Sequence, residues 1–187
     1  MRAKILEPLL IVVWMVGISA VSAAIMAPHT ISWRASLNFL NNEVTDSWSV
    51  THVLGADCKC SKVVFASLMA RGPQSEIDEK IVLLGHMQTE EKALLERGFR
   101  VSLKDQEVLS EEPIGVPFIL IQTPTGAPAY SGGYSSSPLS SLNPPQDLKI
   151  LNDLRSGKNP GKLPIFGCAM SARLQKLSDP FSLKYRK

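Results

Sequence analysis

The chain has 187 residues, of which 44% are hydrophobic and 20% are charged, and its net charge is +3. That length suffices for one ordinary globular domain plus an extension. The Lys and Arg residues are scattered, with no basic block and no interleaved aromatic residues, so the sequence predicts no nucleic-acid partner.

The amino terminus is apolar. Arg2 and Lys4 precede a stretch from Pro8 to Ala27 that carries no charge after Glu7. About twenty apolar residues can cross a hydrocarbon core, whereas a cleavable signal peptide usually has a shorter apolar segment. Residues 1–27 are therefore predicted to form a membrane-spanning signal anchor, with a cleaved signal peptide as the alternative. Basic residues ahead of the span place the rest of the chain outside the cytoplasm, which in a bacterium is the periplasm.

Residues 28–47 are predicted to be a spacer. Five apolar residues at roughly helical spacing predict one short helix within it, namely Ile31, Trp33, Leu37, Phe39 and Leu40.

Residues 48–156 are predicted to alternate strands with helices. The predicted strands are Trp48–Gly55, Ile81–Leu84, Phe99–Leu103, Phe118–Ile121 and Pro128–Gly133. The predicted helices are Ser61–Arg71, Thr89–Arg97 and one through Leu148, Leu151 and Leu154. This alternation predicts an α/β fold whose central sheet has a parallel core, is flanked by helices and becomes mixed through a closing hairpin.

Two cysteines lie where the first strand passes into the first helix of this domain, in Asp57-Cys58-Lys59-Cys60-Ser61. The unpaired N–H groups and dipole of a helix amino terminus stabilise a thiolate, which is typical of a reactive or metal-binding cysteine. Asp57 would raise the pKa of the neighbouring thiol, and Lys59 would oppose that effect. Asp57 could equally be a turn residue.

The third cysteine, Cys168, lies in a carboxyl-terminal extension, residues 157–187, at the predicted start of a helix ending near Leu177. The helix-terminus argument would then apply to it as well. With three cysteines in an exported chain, at least one must be reduced, bound to metal or paired with another molecule.

The element order, the cysteine motif and Gly115-Val116-Pro117 ahead of the hairpin resemble the thioredoxin fold over residues 48–156. The chain is similar in particular to membrane-anchored extracytoplasmic thioredoxin-like proteins, including the RedB group, which has a similar Asp-Cys-x-Cys-Ser. The resemblance implies thiol-disulfide exchange with protein thiols and disulfides. It also implies a cis-proline at Pro117, whose loop with Val116 lies against the cysteines and binds the substrate polypeptide.

The motif departs from the Cys-x-x-Cys of thioredoxins. If Cys58 is the attacking thiolate, Ser61 occupies the resolving position and Cys60 lies one place early. Either Cys60 or Cys168 could then resolve, and the sequence does not choose between them. A disulfide between Cys58 and Cys60 would close a small, strained ring.

Two histidines follow or lie within predicted strands. His86 follows the strand beside the cysteine strand, where it could raise the thiolate fraction, act as a base or be a surface loop residue. His52 is predicted to be a satisfied core or surface histidine.

Exchange chemistry needs no cofactor, but other functions stay open. A soft-metal carrier could bind copper or zinc through Cys58, Cys60, Cys168 and His86. A third alternative is a redox-inert interaction module.

Overall fold

The structure is a computed structural model that describes residues 3–26, 46–104, 115–179 and 185. The short helix predicted within the spacer lies outside these residues. Helix α1 spans Ala3–Met26, and its residues 9–23 are exposed. Across the described residues, no helix combines the length and the apolar character that crossing a membrane demands.

Five strands form the central sheet in the order β3-β2-β1-β5-β6. They are β1 (Ser49–Gly55), β2 (Asp78–Leu84), β3 (Arg100–Lys104), β5 (Phe118–Gln122) and β6 (Pro128–Gly132). Strands β1, β2 and β3 are parallel, β5 runs antiparallel to β1, and β6 runs antiparallel to β5. The predicted mixed sheet with a parallel core is therefore confirmed.

The helices after α1 are α2 (Lys59–Arg71), α3 (Gln88–Glu96), α4 (Asp147–Arg155) and α5 (Ala172–Ser178). Helix α2 begins two residues before the predicted start, so Cys60 lies within its first turn. The apolar positions of α2 are spaced by four residues, at Val64 and Leu68, and both side chains are buried.

The hydrophobic core has two parts because successive strand residues point to opposite faces of a sheet. The larger part includes Val50 and Leu54 of β1 together with the buried apolar residues of α2 and α4. The second core is smaller and includes Val53 of β1, Cys58, Val116, and Ile165 and Met170 of the carboxyl-terminal extension. The extension thus completes the second core.

A second, two-stranded sheet joins β4 (Gly115–Val116) to β7 (Cys168–Ala169) in antiparallel pairing. The prediction that Cys168 starts a helix is wrong, because α5 begins only at Ala172, after Ser171 as its N-cap. Ser171 ends the extended segment by accepting a hydrogen bond from the Leu174 N–H. Pairing with β4 and burial of the flanking apolar side chains hold Cys168 in a strand, so its thiol is not at the amino terminus of α5.

His52 is a satisfied core residue, as expected. Its ring nitrogens bond the Tyr134 hydroxyl at 2.9 Å and the Glu79 carboxylate at 3.0 Å. Arg71 forms ion pairs with both Glu79 and Asp147. This buried polar network connects β1, β2, α2 and α4.

Candidate thiol site

Cys58 is the N-cap residue of α2 and is 0% exposed. Strand β1 ends at Gly55, and a turn through Ala56 and Asp57 delivers the chain to the helix. Asp57 has a φ of 56°, in the left-handed region that Asp tolerates better than most residues. Asp57 is exposed and therefore acts as a turn residue at the margin of the site.

Hydrogen bonds to the sulfur of Cys58 favour its thiolate. The Cys168 thiol makes the largest contribution, followed by the Cys60 thiol, and together they hold the pKa of Cys58 well below its usual range. Burial of Cys58 raises the pKa and opposes them, while side-chain and backbone hydrogen bonds from Ser61 lower it further. The contacts of Cys58 with two other cysteines therefore favour its thiolate form.

The peptide bond between Val116 and Pro117 is cis, as the resemblance implies. The Val116 carbonyl oxygen lies 3.5 Å from the Cys58 sulfur and accepts a hydrogen bond from the protonated thiol. When Cys58 is ionised, this carbonyl dipole opposes the thiolate. The donors from two thiols and from Ser61 act in the opposite direction and lower the pKa of Cys58.

Strand β7 lies directly against this loop. Val116 pairs with Cys168, and Gly115 pairs with Ala169. A Cβ atom added at Gly167 would fall well within 3.0 Å of the Val116 carbonyl oxygen, closer than real Cβ atoms approach backbone. The absence of a side chain at position 167 is what allows Cys168 to come this close to Cys58.

The other edge of β7 is also bonded. The Ala169 N–H donates to the Tyr185 hydroxyl at 2.8 Å, and its carbonyl accepts from the Gln175 side chain at 3.1 Å. Met170 also fixes this segment, since its side chain is buried and packs directly on Gly55. A Cβ atom added at Gly55 would come within 2.6 Å of the Met170 sulfur.

Exposure differs among the three cysteines. Cys58 is fully buried, whereas Cys60 and Cys168 are partly buried and pack against the second core. None of the three, all within the described ranges, forms a disulfide in this structure.

Ser61, at the position where thioredoxins carry the resolving cysteine, is 1% exposed. Its hydroxyl oxygen accepts a hydrogen bond from the Gly55 N–H at 3.0 Å. Ser61 thus fixes the end of β1 to the first turn of α2 and also supports the Cys58 thiolate.

His86 is exposed. It lines a cleft of about 90 Å³ together with Asp57, Ser61, Lys62 and Glu90, and no cysteine lines that cleft. The structure thus brings Cys58, Cys60, Cys168, Ser61 and the Val116–Pro117 loop together, and leaves Asp57 and His86 at the margin.

Possible metal ligands cluster elsewhere. Within the described parts of the chain, the group of three His, Cys, Asp or Glu ligand atoms lying within 4.8 Å of one another is His52, Glu79 and Asp147. Arg71 already pairs with both carboxylates there, so a cation would have to replace its guanidinium group. The sulfur atoms of the three cysteines do not form a second such group. Cys58 hydrogen-bonds both other cysteines, so the longest of the three sulfur–sulfur distances is the one between Cys60 and Cys168.

Sequence reasoning missed the residues that hold Cys168 in place, chiefly Gly167 and Met170. The apolar run around them, from Ile165 to Met170, includes a glycine directly before the cysteine. An apolar run with an internal glycine is compatible with a short buried strand that another backbone approaches closely. This pattern could have indicated that Cys168 lies in a strand.

Comparisons with known proteins found no matching family model and no matching curated protein. Among solved structures, a hypothetical protein from Sinorhizobium meliloti is 12% identical, with 67% of this chain and 79% of that chain covered and a TM-score of 0.46. An uncharacterized conserved protein from Geobacillus kaustophilus is 15% identical, with coverages of 68% and 78% and a TM-score of 0.45. The thioredoxin domain of a thiol-disulfide oxidoreductase from Bacteroides vulgatus is 15% identical, with coverages of 63% and 84% and a TM-score of 0.40.

Matches at this level do not assign an activity, so what the site can do rests on the contacts of Cys58. The fold follows from the molecule's own geometry. A cysteine motif at the β1–α2 junction, a cis-proline ahead of β5 and the strand order around them make this a mixed α/β thioredoxin-like fold.

Proposed function

We propose that this protein is a thiol-disulfide oxidoreductase whose central sulfur is Cys58. The observation that carries the proposal is the contact of the buried Cys58 sulfur with two further thiols, Cys168 and Cys60, at a helix amino terminus, where hydrogen bonds lower the pKa of Cys58. A thiolate is the form that attacks a disulfide sulfur, and a second thiol within reach is what completes an exchange.

The exchange has two steps that balance. One protein thiolate attacks a sulfur of the substrate disulfide, the substrate S–S bond breaks, and one substrate sulfur leaves as a thiolate. A second protein thiolate then attacks the mixed disulfide and releases the other substrate sulfur. Two electrons pass from the protein to the substrate, and the protein keeps one disulfide. Run backwards, the same steps oxidise a dithiol.

The disulfide formed is proposed to join Cys58 to Cys168. Support comes from their direct hydrogen bond and from the pairing of Cys168 with Val116, whose carbonyl faces the Cys58 sulfur. A bond between Cys58 and Cys60 would close a small, strained ring and serves better as a transient species.

The proposed place of action is outside the cytoplasm, on a membrane anchor formed by residues 1–27. Support comes from the uncharged stretch Pro8–Ala27 behind Arg2 and Lys4, and from the exposed apolar side chains within α1, such as Leu10 and Trp14. The expected result is that the full chain stays with membranes through an alkaline carbonate wash. Release of the intact chain into the wash would contradict the anchor.

Turnover tests the activity. With glutathione disulfide as substrate and dithiothreitol as electron donor, the wild-type chain is expected to catalyse reduction, and Cys58→Ser is expected to turn over more slowly. Ser156→Ala is a matched control, because Ser156 is exposed at the end of α4 and lies outside the second core. Undiminished turnover by Cys58→Ser would overturn the assignment.

A further inference from the structure

The central sulfur is not the accessible one. Cys58 is 0% exposed and lies in the second core together with Ile165 and Met170 of the carboxyl-terminal segment. Of the three cysteines, Cys60 and Cys168 are the ones with exposed surface. A disulfide arriving from solvent therefore meets one of these two sulfurs before it can meet Cys58.

The strand edge beside the cis-proline is also occupied. A peptide substrate docks on such an edge by pairing its backbone with it. Here β7 already pairs with β4, with Cys168 opposite Val116. The segment thus takes the position in which the sequence resemblance placed a substrate polypeptide.

The segment around β7 makes many contacts with the rest of the fold. Met170 packs against Gly55, Gly167 lies against the Val116 carbonyl, and Ala169 is bonded to both Tyr185 and Gln175. Lifting the segment to admit a substrate would break all of these contacts and expose two buried apolar side chains.

We propose that Cys168 is the cysteine that attacks the substrate disulfide, and that Cys58 is the internal thiol that resolves the resulting mixed disulfide. This inference rests on the proposed function and exchanges the roles of the two sulfurs. Its substrate class is a disulfide that can reach Cys168 from solvent without pairing its backbone with β4, such as a small-molecule disulfide.

The contact between the two sulfurs supplies the proton transfer. The hydrogen-bonded pair shares one proton, and Cys168 attacks the substrate sulfur from the state in which Cys58 holds that proton and donates it to the Val116 carbonyl oxygen. The substrate S–S bond breaks, the first thiolate leaves, and a Cys168 mixed disulfide remains. Cys58 then passes its proton to the second departing sulfur while its own sulfur attacks that of Cys168. The products are a Cys58–Cys168 disulfide, one substrate thiol and one substrate thiolate.

Cys60 also has exposed surface, but its location favours Cys168 as the attacking sulfur. Cys60 lies only two positions after Cys58 in the chain, so a disulfide between these two cysteines would close a small, strained ring. Cys168 approaches Cys58 from a separate strand and is its strongest hydrogen-bond donor.

Trapping the mixed disulfide tests the assignment. The full-length chain in detergent is exposed briefly to glutathione disulfide at about pH 8.5, near the pKa of an ordinary thiol, then quenched in acid and mapped by mass spectrometry. Cys58→Ser and Cys58→Ala are both expected to accumulate a glutathione adduct on Cys168, while the wild type passes on to the Cys58–Cys168 disulfide. Cys168→Ser is expected to react at least about tenfold more slowly, with Cys58 unmodified.

An adduct on Cys58 in Cys168→Ser at the wild-type rate would overturn the inference, as would an adduct on Cys60 in the Cys58 variants. Using two Cys58 variants guards against a folding defect in one of them, and thermal unfolding of each reports its fold. Failure of the proposed function is a separate result, because in that case the wild type forms no disulfide involving Cys58 at all.

Discussion

Gly167→Ala tests whether close approach of β7 sets up the sulfur pair. The new Cβ atom would meet the Val116 carbonyl oxygen, which is backbone and cannot turn away. To reach even 3.0 Å, β7 must move off β4 by at least about 1 Å. Overpacking of this kind typically lowers the free energy of unfolding by about 1–3 kcal/mol.

The larger effect is expected on chemistry. A misplacement of 1 Å between reacting groups can slow a reaction by about 10²-fold, so formation of the Cys58–Cys168 disulfide should slow to about that degree. The same movement should expose Cys58, which Ile165 and Met170 bury in the wild type. In the wild type, iodoacetamide should modify Cys58 slowly despite its lowered pKa, because Cys58 is 0% exposed. In Gly167→Ala the modification should become faster.

Mass mapping of alkylated peptides measures the modification, and a timed oxidation by glutathione disulfide measures the bond. Gly161→Ala is the matched control: it makes the same chemical change in the same extension, with no atom within 4 Å of the new Cβ. Its φ of +70° adds backbone strain without pressing on β4. Unchanged protection of Cys58 and unchanged oxidation in Gly167→Ala would show that close approach of β7 does not position the sulfur pair.

Three further outcomes are expected. Cys168→Ala removes the strongest donor to the Cys58 thiolate, so the pKa of Cys58 should rise, as read from the ultraviolet absorbance of the thiolate against pH. Ser61→Ala leaves the Gly55 N–H without its acceptor and should lower the free energy of unfolding by about 1–3 kcal/mol, measured by urea denaturation. Burial raises the pKa of Glu79, but hydrogen bonds and charges from its His and Arg partners outweigh it and lower the pKa from 4.5 to about 2. Its ionised form therefore contributes about 3 kcal/mol of stability that is present above pH 4.5 and lost as the pH falls toward 2. In Glu79→Gln the urea midpoint should therefore change less with pH over this range than in the wild type. An equal pH dependence in the two proteins would contradict the lowered pKa of Glu79.

The sheet could be predicted from the sequence because its strands carry strong local signals. The apolar run Ile81–Leu84 is buried on both faces, and the alternation through Ser49–Gly55 ends at a glycine. The cysteines at the β1–α2 junction and the cis-proline followed from these strands and from the resemblance. Boundaries differed by a residue or two, as for α2, because Cys58 caps the helix without a side-chain bond that would mark the position.

The site itself could not be completed from the sequence, because its third sulfur arrives through a non-local contact. Nothing near Cys168 shows that it pairs with Val116, about fifty residues earlier in the chain. The helical spacing after it belongs to α5, which begins at Ala172, and this led to the wrong assignment of Cys168 to a helix start. Burial of Cys58 likewise depends on Ile165 and Met170, which only the folded chain brings over it.

The most direct test of the central claim is an account of all three thiols in the full-length chain. The protein is equilibrated across a graded dithiothreitol series, alkylated and mapped by mass spectrometry, with copper and zinc assayed in the same samples. We expect one reversible two-electron bond joining Cys58 to Cys168, with no stoichiometric metal. Three cysteines that stay reduced across the series while holding one equivalent of copper or zinc would exclude the redox function and identify a soft-metal carrier.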